Sequence, residues 1–222
     1  MKTKIIGLLG QAGSGKDTAA VYINRFLNEG PHARFRFKTC VEKVALADPM
    51  KRFCQGVFQF TDKQLWGPSE ERDRVDPRYT RSDGAPLTPR HALQTLGTEW
   101  GRACYPDVWI DLAVRKAKER AALGIVTVIT DCRFLNEARR LRELGASVWR
   151  IVRPAEPVAA DFLKHSSETE QADPAMDAYV TYRIDNVGTL ADLKEMVFCG
   201  LVQEGLVQES DRAGAGREFP GH

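Results

Sequence analysis

Residues Lys4–Thr18 read KIIGLLGQAGSGKDT, and their reading decides the fold. Ile5–Leu9 is a short apolar run, as a buried parallel strand requires. It runs into Gly10-Gln11-Ala12-Gly13-Ser14-Gly15-Lys16, a match to GxxxxGK. From Thr18 to Leu27 the spacing turns helical, with Ala20, Ile23 and Leu27 on one side. Strand, glycine loop and helix in that order make a phosphate-binding loop. The glycines let backbone N–H groups converge on phosphate oxygens, and the helix N-terminus adds a favourable dipole. Lys16 is placed to reach the β- and γ-phosphates of a nucleotide. One position departs from the usual pattern. Where Ser or Thr would ligate magnesium, the chain has Asp17, with a hydroxyl only at Thr18. Thr18 lies about 100° further round the helix, so it does not take over that place. Asp17 can instead hold magnesium through a water, since that ion keeps several of its own.

Outward from the loop, the chain alternates strands and helices. Val44–Ala47 reads as a weak strand, and Asp48-Pro49 opens a helix to about Phe58. Thr61–Pro89 is polar and punctuated by prolines, and reads as an inserted, mobile segment outside the core. Thr88-Pro89 starts a helix with Leu93, Leu96 and Trp100 turned inward, and a second runs from Pro106-Asp107 to Gly124. Ile125–Thr130 is the clearest strand and ends at Asp131. A helix carrying Leu135, Ala138 and Leu141, a strand over 147–152, a polar stretch over 153–174, a strand over 179–184 and a helix over 190–202 follow. The tail from Ser210 reads as disordered. Alternation of this kind predicts an α/β fold, a mostly parallel sheet flanked by helices, with ligands at the carboxyl ends of the strands. Gly10, Asp131 and Arg153 each follow a strand and so gather at that edge.

Composition narrows the classes. The chain has 222 residues, 43% hydrophobic and 28% charged, in line with a globular domain. A net charge of +2 gives no reason to expect direct nucleic-acid binding. The five cysteines are scattered without a CxxC pair, a pattern of reduced cytoplasmic thiols and not of a disulfide framework or zinc site. No segment reaches the length of a membrane span, and the short N-terminal apolar run is not a signal peptide.

Phosphoryl transfer needs cations around the moving group, and arginine forks grip phosphate well. Arg90 and Arg102 flank a helix carrying Gln94, Gly97, Thr98 and Trp100. Gln94 and Thr98, at i and i+4, could present an amide and a hydroxyl to a base, or could be plain surface polarity. Arg133 and Glu137 at the same spacing could be a surface ion pair. His165 reads as an ordinary loop histidine.

Together these blocks resemble the deoxynucleoside monophosphate kinases of bacteriophages, P-loop enzymes of the nucleoside monophosphate kinase type. The resemblance runs from about Lys4 to Leu193. Gly10, Ser14, Gly15, Lys16, Asp17 and Thr18 look like the family's loop, which accepts Asp after the lysine, as phosphomevalonate kinases also do. Ala47-Asp48-Pro49-Met50-Lys51 resembles a block whose lysine reaches the substrate phosphate. Arg90–Gly101, RHALQTLGTEWG, is similar to the substrate-binding helix, and Trp109 to a tryptophan near the base. Thr130-Asp131-Cys132-Arg133 with Glu137 looks like the acidic strand end. Arg153-Pro154 and His165-x-Ser167-Glu168 resemble the lid, and Asp185-Asn186 with Gly188 the final turn.

The resemblance implies a P-loop NTPase fold, with a kinase domain over 1–209, an acceptor-binding insertion over about 48–110, a lid over about 153–176 and a tail over 210–222. It implies ATP and Mg2+, with Gly10, Gly13, Ser14, Gly15, Lys16, Asp17, Thr18 and Asn186 on ATP and Asp17 and Asp131 on the metal through water. Lys51, Arg72, Arg90, Gln94, Gly97, Thr98, Trp109, Asp131 and Glu137 would take a deoxynucleoside monophosphate, with Arg74 competing with Arg72. Lys16, Arg133, Arg153 and Asp131 would carry the chemistry, in support of DNA synthesis in a host cytoplasm. A homodimer is compatible with this reading. So are a P-loop kinase of dephospho-coenzyme A or phosphomevalonate and a regulatory nucleotide-binding protein.

Overall fold

The computed structural model describes residues 4–11, 13–29, 41–154 and 173–212. By its internal contacts the chain divides into two compact units, one of Met1–Val44 with Ala113–His222 and the other of Ala45–Leu112.

The first unit holds a five-stranded sheet. Its strands are β1 (Ile5–Leu9), β2 (Val41–Val44), β3 (Val126–Cys132), β4 (Ser147–Val152) and β5 (Tyr182–Asp185). They lie in the order β2-β3-β1-β4-β5, every pair parallel. Parallel strands buried on both faces read as continuous apolar runs, and all five residues of β1 are buried. Helix α1 (Lys16–Glu29) and the last helix, numbered α7 (Leu190–Gln203), pack Ala19, Ile23, Phe26, Leu193, Val197 and Phe198 into one core with Leu8, Val128, Trp149 and Ile184. Helix α6 (Leu135–Glu143) of the same unit buries Ala138 and Leu141.

The second unit carries α2 (Asp48–Phe58), α3 (Asp62–Trp66) and α4 (Pro89–Gln94), the last continuing as a π-helix over Thr95–Arg102. Helix α5 (Val108–Ala122) begins in this unit and passes into the first. Four departures from the sequence reading stand out. Strand β2 is Val41–Val44 and not Val44–Ala47, because Asp48-Pro49 starts its helix after a tight turn at Ala45–Asp48. The stretch from Thr61 to Pro89 is not outside the core: it has a core of its own, in which Phe60, Leu65 and Leu87 are buried with Cys54 and Ala92. Thr61 caps α3 with a capping box to Gln64, and Asp76 lies buried with Arg78 and Gln64 on its carboxylate. Trp100 is 58% exposed, while Ala92 and Gly97 turn inward. The i→i+5 bonding of the π-helix widens each turn, so α-helical spacing no longer tells which side chains face in. Finally, Ser210 and Asp211 lie in a 3-10 turn beyond α7. Just before that turn, Val207 joins the first unit's core, and Arg212 just after it lies 5.1 Å from the Phe198 ring centroid. Residues 213–222 fall outside the described set, as does most of the stretch expected to form a lid, with His165, Ser167 and Glu168.

Cys54, Cys104, Cys132 and Cys199 carry free thiols. Burial pushes the Cys54 thiol up to about 11, which keeps it protonated and inert. Among the described residues no helix is long and apolar enough to cross a membrane.

Candidate active site

The parallel register decides where the loop residues meet. Strand β1 is flanked by β3 and β4, and Leu9 pairs with Cys132 on one side and Arg150 on the other. Gly10 therefore leaves the sheet between the carboxyl ends of two neighbours. Those ends carry Asp131 and Arg133 on one side and Arg153 on the other, and Asn186 follows the end of β5. Ligands in open parallel sheets bind at this edge.

At two of its glycines the loop has no room for a side chain. Gly10 has φ +154°, and a Cβ there would stand 2.5 Å from Ser14 Oγ and 2.6 Å from the Ile151 carbonyl oxygen. Gly15 has φ +97°, and a Cβ would meet Asn186 Nδ2 at 2.5 Å. Gly13 also has positive φ, at +75°. Asn186 is buried and donates from Nδ2 to the Ser14 carbonyl at 2.9 Å, while its own N–H reaches Val152 O at 2.7 Å. It thus braces the loop from β5, a structural task beside the ATP contact that the resemblance implies for it. Lys16 is buried, and its Nζ donates to the Gln11 carbonyl at 3.1 Å, folding the ammonium over the loop. Ser14 is buried, and its Oγ has no hydrogen-bond partner among the described residues. A buried hydroxyl without a partner costs free energy unless a ligand completes it. Asp17 is exposed in the first turn of α1, and Thr18 is half-buried beside it.

Asp131 is half-buried in β3, one residue before its end, because the strand runs on to Cys132. Arg133 is half-buried and Arg153 exposed. Glu137 does not lie on the surface. It is 2% exposed, and its Oε2 accepts the backbone N–H of Arg133 at 2.7 Å and of Phe134 at 3.1 Å. It caps the start of α6 and fixes the backbone that carries Arg133.

The second unit gathers Lys51, Arg72, Arg90, Gln94, Gly97, Thr98 and Trp109. Lys51 Nζ sits 5.7 Å from the centroid of the Trp66 ring, whose indole N–H donates to Asp48 Oδ1 at 3.2 Å. Arg72 Nη1 donates to the carbonyls of Leu65 and Gly67 at 3.3 and 3.1 Å, tying back the end of α3. Arg74 pairs with Glu71 at 3.3 Å. Arg90 grips Asp73 with Nε on Oδ1 and Nη2 on Oδ2, and Nη2 also reaches Ser69 Oγ at 2.9 Å. The Arg90 guanidinium holds the Asp73 carboxyl below the usual carboxylate range. Gln94 and Thr98 are both half-buried. Trp109 donates its indole N–H to the Gly97 carbonyl at 2.8 Å. A Cβ at Gly97 would stand 2.6 Å from Met50 Sδ, so Gly97 permits close packing. Trp66, Ser69, Asp73 and Asp76 went unread in the sequence. The charge cluster Glu70–Arg74 was a signal for Asp73, whereas nothing local marks Ser69 as a partner of Arg90 at 21 residues' distance.

No protein-family model matches the chain. A protein of Acanthamoeba polyphaga mimivirus, provisionally named a deoxynucleotide monophosphate kinase, is 32% identical over 176 residues, which cover 75% of this chain and 81% of that one. The deoxynucleoside-5'-monophosphate kinase of Escherichia phage T5 is 26% identical over 260 residues, covering 91% and 98%. Among solved structures, dephospho-CoA kinase from Campylobacter jejuni is 11% identical, covers 92% of this chain and 99% of its own, and has a TM-score of 0.46. A parallel sheet opening into a GxxxxGK loop at its centre is the P-loop fold, and with the mimivirus protein it identifies a phosphotransferase: the chain belongs to the deoxynucleotide monophosphate kinase family of viruses and phages.

Proposed function

We propose that the enzyme transfers the γ-phosphoryl group of ATP to a deoxynucleoside 5'-monophosphate, giving ADP and the diphosphate, and so supplies deoxynucleotides for DNA synthesis. The observation that carries this reading is the loop itself. Gly10 and Gly15, at positive φ with no room for a side chain, a buried Ser14 hydroxyl without a partner among the described residues and the folded-over Lys16 ammonium suit a chain of phosphates. The names of the mimivirus and phage T5 relatives supply the acceptor class.

In the reaction an acceptor phosphate oxygen attacks the γ-phosphorus as the bond to the β–γ bridging oxygen breaks. The protein aligns the two phosphates and neutralises their charge. Lys16 and the loop amides hold the β- and γ-phosphates, with Thr18 beside them. Arg133, on a backbone fixed by Glu137, and Arg153 meet the charge of the transferring group. Lys51, Arg72 and Arg90 hold the acceptor phosphate, and Gln94, Thr98 and Trp109 border the nucleoside. Mg2+, when bound, would offset the negative charge of the phosphates. Asp17 and Asp131 offer oxygen donors of the hard kind it prefers. Among the described residues no three His, Cys, Asp or Glu side chains cluster as a metal site.

A coupled assay of ADP release with MgATP over the four deoxynucleoside monophosphates, their ribose counterparts, dephospho-coenzyme A and phosphomevalonate tests the reading. Turnover of at least one deoxynucleoside monophosphate is expected. Turnover of only another acceptor, or tight ATP binding with no ADP from any, overturns it.

A further inference from the structure

Among the arginines of the second unit, the sequence reading puts Arg72, Arg74 and Arg90 forward for the acceptor phosphate, and the structure treats these three differently. Arg72 is turned onto two backbone carbonyls, and Arg74 leans on Glu71. Arg90 is held along one edge only. Its Nε donates to Asp73 Oδ1, and its Nη2 divides its two hydrogens among Asp73 Oδ2 at 2.9 Å, Ser69 Oγ at 2.9 Å and Ser69 O at 3.2 Å. A guanidinium has five N–H donors in a planar fork. Three of them are thus taken by Asp73 and Ser69. The two on Nη1 have no acceptor among the described residues, and the Arg90 side chain keeps 31% exposure.

A carboxylate bound through both oxygens fixes the plane of a guanidinium as well as its position. The turn supplying that carboxylate is itself anchored. Arg72 ties it to the end of α3, and buried Glu71 accepts Lys63 at 3.1 Å and Arg74 at 3.3 Å. Arg90 is therefore preset along the edge it shares with Asp73, while Nη1 keeps two N–H groups with no acceptor among the described residues.

We propose that Asp73, with Ser69, is a positioning residue that aims Arg90 Nη1 at the phosphate of the acceptor. This rests on the reading of Arg90 as an acceptor-phosphate residue. Asp73 itself touches no substrate. It lowers the entropy that Arg90 loses on gripping phosphate and sets the angle at which the acceptor oxygen is held.

Steady-state kinetics of Asp73→Ala, Arg90→Ala and the double variant test this, with thermal melts and calorimetric titration of inorganic phosphate into the ATP-free protein. Asp73→Ala is expected to raise the acceptor KM about fivefold to tenfold and to lower kcat, leaving the ATP KM unchanged. The double variant should be no worse than Arg90→Ala alone, since a positioning residue has nothing left to position. Asp73→Glu, which keeps the carboxylate on a longer arm, should recover part of the loss. A fall in acceptor KM on Asp73→Ala would show that Asp73 competes with phosphate and overturn the proposal. A lowered melting temperature with acceptor KM unchanged would reduce Asp73 to a clamp on its turn and overturn it equally. Full additivity in the double variant would do the same. If the wild type turns over no deoxynucleoside monophosphate, the functional reading fails by itself. Phosphate affinity then decides the inference: it must drop in both single variants, without further loss in the double.

Discussion

The glycine loop of the first unit and the arginine-bearing turn and helix of the second are both anion sites in the proposed reading, yet they are built by different means. The loop uses backbone: three glycines, a helix N-terminus and one buried lysine, all within seven residues of sequence. The second unit uses side chains, each oriented by a partner that lies 17 to 21 residues away for Arg90. Backbone geometry leaves little to adjust, whereas a side-chain site can be retuned by changing a partner. Phosphoryl transfer can use both, because the nucleotide's phosphates are common to many kinases and the acceptor is not. The sharpest way to break this comparison is Lys16→Ala. If the backbone needs its one cation, phosphoryl transfer should fall on the order of a thousandfold while the melting temperature holds. Near-wild-type kcat in the variant would mean that the loop amides suffice.

Gly10→Ala tests the backbone alone, with every charge kept. The new methyl would collide with Ser14 Oγ and the Ile151 carbonyl at a φ that L residues avoid. Displacement of the loop by even an ångström should cost roughly a hundredfold in kcat/KM for ATP. An alanine variant with normal ATP kinetics would show that the loop has more slack than its geometry implies.

For the second unit the corresponding test is electrostatic. Asp76 is 3% exposed and accepts from Arg78 Nε at 2.8 Å, Arg78 Nη2 at 2.7 Å, the Arg78 N–H at 3.1 Å and Gln64 Nε2 at 3.2 Å. These bonds, with that of the Arg78 side chain foremost, hold its carboxyl well below the usual carboxylate range. A depressed folded-state value means stability that is present above the ordinary carboxylate value of about 4 and is lost as pH falls beneath it. Asp76→Asn should therefore cost about 2 kcal/mol near neutral pH, and its acid denaturation limb should be shallower than the wild type's. Denaturant melts of both proteins across the acid range check this. Parallel limbs would show that Asp76 does not govern the acid response.

The same contrast explains what the sequence made legible. The loop, its strand and its helix could be read because their signals are contiguous and periodic. Glu137 shows the limit: its spacing from Arg133 was visible, but its burial and its hold on the backbone N–H groups of Arg133 and Phe134 were not. The stretch from Thr61 to Pro89 read as peripheral because its apolar residues are few. Leu65 and Leu87 find Phe60 and Cys54 only once the chain has folded. Trp100 was read inward on an α-helical count that the π-helix does not keep.

That π-helix carries the smallest expected effect. Bonding from i to i+5 is less favourable than the α pattern and persists only where its surroundings hold it. Trp109 is such a surrounding group: its indole N–H bonds the Gly97 carbonyl at 2.8 Å, and its ring lies where a Cβ on Gly101 would come within 2.5 Å of Cζ2. Trp109→Phe removes the donor and keeps most of the ring. Loss of one such bond to a carbonyl should cost about 1 kcal/mol in a denaturant melt. If Trp109 also borders the nucleoside, the variant should raise the acceptor KM beyond what that loss of stability accounts for, with the ATP KM untouched. A stability loss alone would make Trp109 a brace for the helix and leave base recognition to Gln94 and Thr98. An acceptor KM shift without any loss of stability would show that the π-helix needs no brace and that the indole N–H serves the ligand.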